Sequence, residues 1–219
     1  MLKQWHILLL RHGLTDANAN GVIQGHRPTP LNEVGQEQAR RLANRLARYS
    51  PAMDVLISSD LPRAAQTAEP IAKACKKLIV FEQAWRERYF GEFEGTTAAE
   101  REIWRAAAGE VDPPGAEAAS SFAARIQNAL QRIPADYPYA NAVGVVTHGG
   151  PCRAILRMLI DGRLRMAEGA ARPELVMIGN CSIMHLVYTQ DDSEGTWSIQ
   201  RLNDVSHLGQ MGTTLRDVG

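Results

Sequence analysis

The chain has 219 residues, 45% of them hydrophobic and 22% charged, with 24 basic side chains against 24 acidic ones. That length fits one domain of ordinary size, and a formal net charge of zero supplies no global field toward nucleic acid or an anionic membrane. The three cysteines, Cys75, Cys152 and Cys181, form no Cys-x-x-Cys pair, which argues against a disulfide framework or zinc site and fits a reducing compartment.

Along the chain, strand-like and helix-like segments alternate, the mark of an α/β sheet protein. Trp5–Leu10 reads as a buried strand that ends abruptly in Arg11-His12-Gly13. The apolar run is too short for a signal-peptide core or a membrane span, so a cytoplasmic protein is expected. A loop rich in Gly, Asn and Pro follows, from Gly13 to Pro30. A helix is predicted from the N-cap Asn32 to Tyr49, with Val34, Ala39, Leu42 and Leu46 as its apolar stripe.

Asp54–Ser58 is the second predicted strand, Pro62–Ala74 a helix, and Leu78–Phe81 a short third strand. From Gly91 to about Tyr139 the pattern turns helix-rich and alanine-heavy, broken at Pro113-Pro114-Gly115. This stretch is expected to be an insertion that covers the site as a lid, all within one domain spanning 1–219. Val143–Thr147 is the fourth strand, and Cys152–Ile160 a helix after the Gly149-Gly150-Pro151 turn. Val176–Ile178 and Ile183–Val187 read as sheet core. Ser182–Thr189 and Thr196–Leu202 suggest a hairpin around the polar turn Asp191–Gly195.

Four strand ends carry residues suited to phosphate chemistry. After the first come Arg11 and His12; after the second, Ser58-Ser59-Asp60-Leu61-Pro62-Arg63; after the third, Trp85-Arg86-Glu87-Arg88; after the fourth, Thr147-His148-Gly149-Gly150 at a helix start. Parallel strands bring such loops to one edge, where open α/β sheets bind ligands. A neutral imidazole at His12 is a competent nucleophile near neutral pH. Arg11 and Arg63 suit bidentate contact with phosphate oxygens. Glu87 is placed to protonate a leaving alkoxide and then to activate water, with Glu92 and Glu94 as nearby competitors. No metal and no cofactor is required by this set. His6, His26, His185 and His207 lack ligand spacing, although His26 sits in the loop expected to line the site. Trp85, Arg88, Tyr89 and Phe90 are read either as leaving-group contacts or, for the aromatics, as packing between lid and sheet.

RHG at Arg11–Gly13, SSDLPRAAQTA at Ser58–Ala68, ERYFGEFEG at Glu87–Gly95 and THGG at Thr147–Gly150 resemble the histidine phosphatase superfamily, also called phosphoglycerate-mutase-like. The resemblance covers roughly Trp5 to Leu186. It implies a three-layer α/β/α sandwich with a mostly parallel sheet and a covalent phosphohistidine intermediate. It also implies His12 as nucleophile, Arg11, Arg63 and His148 around the phosphoryl group, and Glu87 as acid and base. Asn18 matches a phosphate-contacting asparagine, Gln24-Gly25 and Thr29-Pro30-Leu31 match the loop lining the site, and Gly149 would offer a backbone N–H.

Two departures from the family pattern stand out. Leu14 occupies a position that is commonly Glu or Gln, and the chain lacks the longer insertion, with a tryptophan and paired arginines, of the cofactor-dependent mutases. Pro113-Pro114-Gly115-Ala116-Glu117 resembles the Pro-Gly-Gly-Glu-Ser turn of the compact phosphatase branch.

The expected function is therefore a metal-independent phosphomonoesterase acting on a small phosphorylated metabolite, with no nucleic-acid or membrane partner. A phosphoglycerate-type mutase is the enzymatic alternative, and an inactive phospho-ligand-binding regulator the alternative from another class. Oligomeric state is left open, a homodimer included.

Overall fold

The computed structural model describes residues 2–108, 112–171, 173–190, 195–209 and 211. Six strands form one sheet: β1 (Lys3–Arg11), β2 (Val55–Ser58), β3 (Ile79–Phe81), β4 (Ala142–Thr147), β5 (Ile183–Gln190) and β6 (Thr196–Asp204). Their order across the sheet is β3-β2-β4-β1-β5-β6. The first four run parallel, while β5 lies antiparallel to β1 and pairs antiparallel with β6. The expected pairing of the last two strands is present, but residues 191–194 of the predicted turn lie outside the described residues.

The alternation of side chains along a strand divides the core in two. Ile7 and Leu9 of β1 join one apolar cluster, and Leu8 and Leu10 join the other. After the one-turn helix α1 (Asp16–Ala19), helices α2 (Glu33–Leu46) and α3 (Pro62–Cys75) cover the face of Leu8 and Leu10. Helices α5 (Ala119–Asp136) and α6 (Gly149–Ile160) cover the opposite face. Connection handedness explains the split. From β1 to β3 the chain steps outward across the sheet with α2 and α3 on one face. The return to β4 steps inward, so a right-handed crossover must place α5 on the other face. The product is the three-layer α/β/α sandwich.

The Asn32 side chain caps α2 by accepting from Gly35 N at 2.9 Å. Ala39, Leu42 and Leu46 of the predicted stripe are buried, but Val34 is 42% exposed, because it falls in the first turn on the solvent side. Val176–Ile178 form no strand; the segment passes beside the end of β1, where Ile178 O accepts from Arg11 Nη1.

The helical stretch expected as a lid divides into two parts. Phe122, Ile126, Ala129, Leu130 and Ile133 recur at helical spacing and are buried in the sheet core, so α5 is a body helix. The short α4 (Ala98–Ala108) and the turn at Pro113–Gly115 flank the site instead. Among the described residues no helix is long and apolar enough to cross a membrane.

Because Ile126 is fully buried against the sheet, Ile126→Ala is expected to destabilise the fold by about 2–5 kcal/mol. Urea unfolding checks this, and a cost below about 1 kcal/mol would mark α5 as a detachable cover.

Candidate active site

Strand register assembles the site. Arg11 at the end of β1 lies opposite Thr147 at the end of β4, so the next residues, His12 and His148, emerge side by side with ring centroids 5.1 Å apart. Ser58 of β2 is level with Val146, which brings the following Ser59 within reach: Ser59 Oγ and His148 Nε2 are 2.8 Å apart. His148 is also the N-cap of α6, so the unsatisfied N–H groups of that helix start face the same edge.

His12 is buried, and its Nδ1 lies 2.7 Å from its neighbour's carbonyl, Gly13 O. A carbonyl only accepts, so Nδ1 carries the proton and Nε2 keeps its lone pair. Consistent with that tautomer, Arg63 Nε donates to His12 Nε2 at 3.3 Å. Burial, then the adjacent Arg63 and Arg11 charges, hold the imidazole's pKa well below the ordinary histidine value. Burial, then the charges of Arg63 and Arg11, do the same to His148.

Arg63 is fully buried, and burial pushes its pKa down to about 10, which leaves it cationic at neutral pH. Its guanidinium donates to Gly25 O at 2.7 Å, Arg27 O at 3.2 Å and Thr29 Oγ1 at 3.4 Å. The loop lining the site is thus folded around one arginine. Gly25 sits at φ +49°, and a Cβ there would run into the Glu94 carboxylate. That carboxylate accepts from His26 N at 2.8 Å and Phe90 N at 3.1 Å, so Glu94 serves the loop backbone.

Asn18 is buried, and its Oδ1 receives Thr15 N, Thr15 Oγ1 and Asn180 Nδ2, which turns the amide nitrogen away from that cluster. Gln24 Oε1 accepts from Thr29 Oγ1 at 2.6 Å and lies 3.0 Å from Thr15 Oγ1. Glu87 accepts from Arg88 N through Oε1 and from Gly150 N through Oε2, both at 2.9 Å. A Cβ at Gly150 would collide with this carboxylate. His26 Nε2 and Glu87 O are 2.8 Å apart.

Arg11, His12, Asn18, Gln24, Gly25, Arg63, Glu87 and Gly149 line one small polar cavity, and His148 stands beside His12. Arg88, read as a leaving-group contact, does not line this cavity but borders the neighbouring one with Glu87. Its guanidinium forms an ion pair with Asp112 and donates to Glu117 O at 2.8 Å, since the turn after Pro113–Gly115 offers it acceptors. Trp85 is fully buried in the core, whereas Tyr89 is 40% exposed and packs against His26.

Three contributors escape the sequence reading. Arg153, on the second turn of α6, also lines the cavity; an arginine five residues after a helix-start histidine is the available signal. Asn180 is fully buried and donates to His12 O at 3.0 Å and Gly13 O at 3.3 Å. Gln38 Oε1 accepts Leu14 N at 2.9 Å, so the backbone at the departing position is held by α2 while the Leu14 side chain itself is buried.

A buried neutral imidazole, three guanidiniums, a helix start and a carboxylate around one polar cavity are a set suited to phosphoryl chemistry on an α/β sandwich. A family model of the histidine phosphatase superfamily (branch 1) matches residues 7–205, and the chain belongs to that superfamily.

"Phosphoglycerate mutase-like protein 4" of Arabidopsis thaliana is 35% identical over 216 residues, covering 94% of this chain and 88% of the relative. The "Metal-independent phosphoserine phosphatase" of the same plant is also 35% identical, covering 94% of this chain and 84% of the relative. Among solved structures, a mycobacterial glucosyl-3-phosphoglycerate phosphatase in complex with VO3 superposes with a TM-score of 0.77 at 27% identity. That match covers 91% of this chain and 99% of its own.

The buried neutral histidines fix the sign of a pH effect. Below about pH 6.5 histidines of the unfolded chain take up protons, while folded His12, His148 and His185, the last with a pKa near 4, stay neutral. The unfolded state then binds more protons, so stability falls as pH drops through that window. The urea midpoint should therefore be lower at about pH 5.5 than at about pH 7; an unchanged or higher midpoint contradicts the neutral assignment.

Proposed function

We propose that the protein is a metal-independent phosphomonoesterase that hydrolyses a small phosphorylated metabolite through a phosphohistidine formed on His12. The observation that carries this reading is the anchored Nδ1–H of His12, which leaves Nε2 as a lone pair in a cavity bordered by Arg11 and Arg63.

In the first step Nε2 attacks phosphorus, the N–P bond forms and the ester P–O bond breaks. Glu87, in its acid form, gives its proton to the departing alkoxide. In the second step Glu87 as carboxylate takes a proton from water, the water oxygen attacks phosphorus, and the N–P bond breaks. Inorganic phosphate leaves and His12 returns neutral. Arg11, Arg63, His148, Asn18 and the Gly149 N–H are the proposed partners of the equatorial oxygens, where charge spreads during transfer. Gln24 and Gly25 would shape the wall and hold Arg63. Arg153 joins this group as an addition.

The chain works as one histidine-phosphatase domain whose cover is narrower than 91–139, confined to α4 and the turn before α5. This is supported by Glu117 N donating to Tyr89 O at 2.9 Å and Glu92 N to Pro114 O at 3.2 Å, which fasten the turn over the Glu87 loop. A cytoplasmic setting fits the three cysteines, all free of disulfides.

With p-nitrophenyl phosphate in EDTA, His12→Ala is expected to lower kcat by about four orders of magnitude. The wild type should yield an acid-labile, base-stable phosphoprotein on rapid quenching, and the variant none. Retained turnover in His12→Ala would refute the nucleophile. Mixing with 3-phosphoglycerate separates the mutase alternative, which requires isomerisation faster than phosphate release.

Glu87→Gln should cut kcat/KM for an alkyl phosphate by roughly 10²–10⁴. The loss should be much smaller for p-nitrophenyl phosphate, because p-nitrophenolate departs without a proton. Equal losses on both esters would remove Glu87 from the acid role.

A further inference from the structure

Glu87 and Arg88 share a peptide group whose two ends meet different partners. Its carbonyl, Glu87 O, lies 2.8 Å from His26 Nε2 and accepts from Arg125 Nη2 at 3.4 Å. Its N–H, on Arg88, donates back to Glu87 Oε1 at 2.9 Å. A carbonyl only accepts, so His26 Nε2 carries the proton and donates it. Imidazole, peptide and carboxylate therefore form one hydrogen-bonded chain. Because the peptide is planar, a bond that fixes its oxygen also aims its N–H.

The loop that serves Arg63 delivers the imidazole. Gly25 turns at φ +49°, its carbonyl accepts from Arg63 Nη2, and the next residue is His26. The Glu94 carboxylate accepts from His26 N at 2.8 Å and Phe90 N at 3.1 Å, which ties this loop to the segment after Glu87. The ring of His26 is half-buried and lies against Tyr89, with centroids 5.3 Å apart. Packing and donation are thus separable, since Tyr89 meets the ring while Nε2 reaches the carbonyl.

Hydrogen bonds joined through a peptide polarise one another. Donation by His26 strengthens the Arg88 N–H as a donor to the carboxylate. It also opposes rotation of the peptide, which would carry that N–H away from Oε1. Oε2 is held independently by Gly150 N at 2.9 Å, so loss of the His26 bond loosens one oxygen of the acid and not the other. Arg125 is a poor substitute, because its contact is longer and the same guanidinium serves Ala84 O, Arg86 O and Glu117.

Resting on the acid role proposed for Glu87, we infer that His26 is a positioning residue for proton transfer. Through the Glu87–Arg88 peptide it holds the carboxyl group in the orientation that meets the departing oxygen. His26 acts through Glu87 and transfers no proton itself.

The test compares kcat/KM, which reports the steps through departure of the leaving group, for glycerol 3-phosphate and p-nitrophenyl phosphate. His26→Phe keeps a ring against Tyr89 and removes the donor. It should lower kcat/KM for glycerol 3-phosphate by about five- to tenfold, the worth of one hydrogen bond, with a much smaller loss for p-nitrophenyl phosphate. His26→Gln removes the ring and restores an N–H near the position of Nε2, so it should recover most of the loss. In a Glu87→Gln background, His26→Phe should change the ratio between the two esters no further. In isotope-labelled protein the Arg88 amide proton should move upfield in His26→Phe and return in His26→Gln.

Equal losses on both esters in His26→Phe, or a His26→Gln variant no better than His26→Phe, would overturn the positioning role. So would an Arg88 amide resonance that ignores both substitutions. If Glu87→Gln discriminates between the esters and His26→Phe does not, this inference falls alone. If Glu87→Gln itself fails to discriminate, the acid role of Glu87 falls and this inference with it.

Discussion

The contact between Arg63 Nε and His12 Nε2, 3.3 Å long and wholly buried, constrains the rest of the site. A protonated imidazole there would face a buried guanidinium at hydrogen-bond distance, with the Arg11 charge also bearing on it, so the ring must be neutral. Neutrality then requires one tautomer, which the Gly13 carbonyl selects by accepting from Nδ1. The same Arg63 must be satisfied without water, and the loop wraps so that the Gly25 and Arg27 carbonyls and the Thr29 hydroxyl reach it. The left-handed backbone at Gly25 follows from that wrapping. A single buried cation thus sets the protonation of His12 and the shape of the wall opposite it.

The carboxylate side of the site depends on a different support. Glu87 is gripped through its side chain by two backbone N–H groups and through its carbonyl by His26 and by Arg125 Nη2 at 3.4 Å. Arg125 also takes the carbonyls of Ala84 and Arg86 and pairs with Glu117 at 2.7 Å. Since Arg125 belongs to α5, the helix that closes the core also fastens the Glu87 loop to it. A freely swinging cover would have to break those bonds at each opening, which is a physical reason for α5 to stay with the body.

Strand ends were legible because a parallel sheet needs only apolar runs and an abrupt polar stop, as at Leu10-Arg11-His12 and Val146-Thr147-His148. Their meeting was legible in outline, through the rule that carboxyl ends share an edge. The pairing of His12 with His148 was not, because it is set by register, Arg11 opposite Thr147. The direction of Arg88 was not legible, because it is decided by acceptors contributed from Asp112 and Glu117, more than twenty residues away. Asn180 and Gln38 left no trace, since single buried amides gain their roles from long-range packing. The segment from Gly91 to Tyr139 blurred two functions because periodicity shows that a helix has an apolar face, not which surface that face meets.

Burial sets how water and salt reach the two sides of Glu87. Arg11, Arg63, His12 and His148 are buried, so their interaction with any anion in the inner cavity is little screened and its strength is fixed by geometry. Farther along α6, Arg157 is exposed, and Arg163 beyond it keeps 47% of its side-chain surface, so their fields fade with ionic strength over about 8–10 Å. On the proposed reading, phosphoryl transfer draws on the inner set, whose charges salt reaches least.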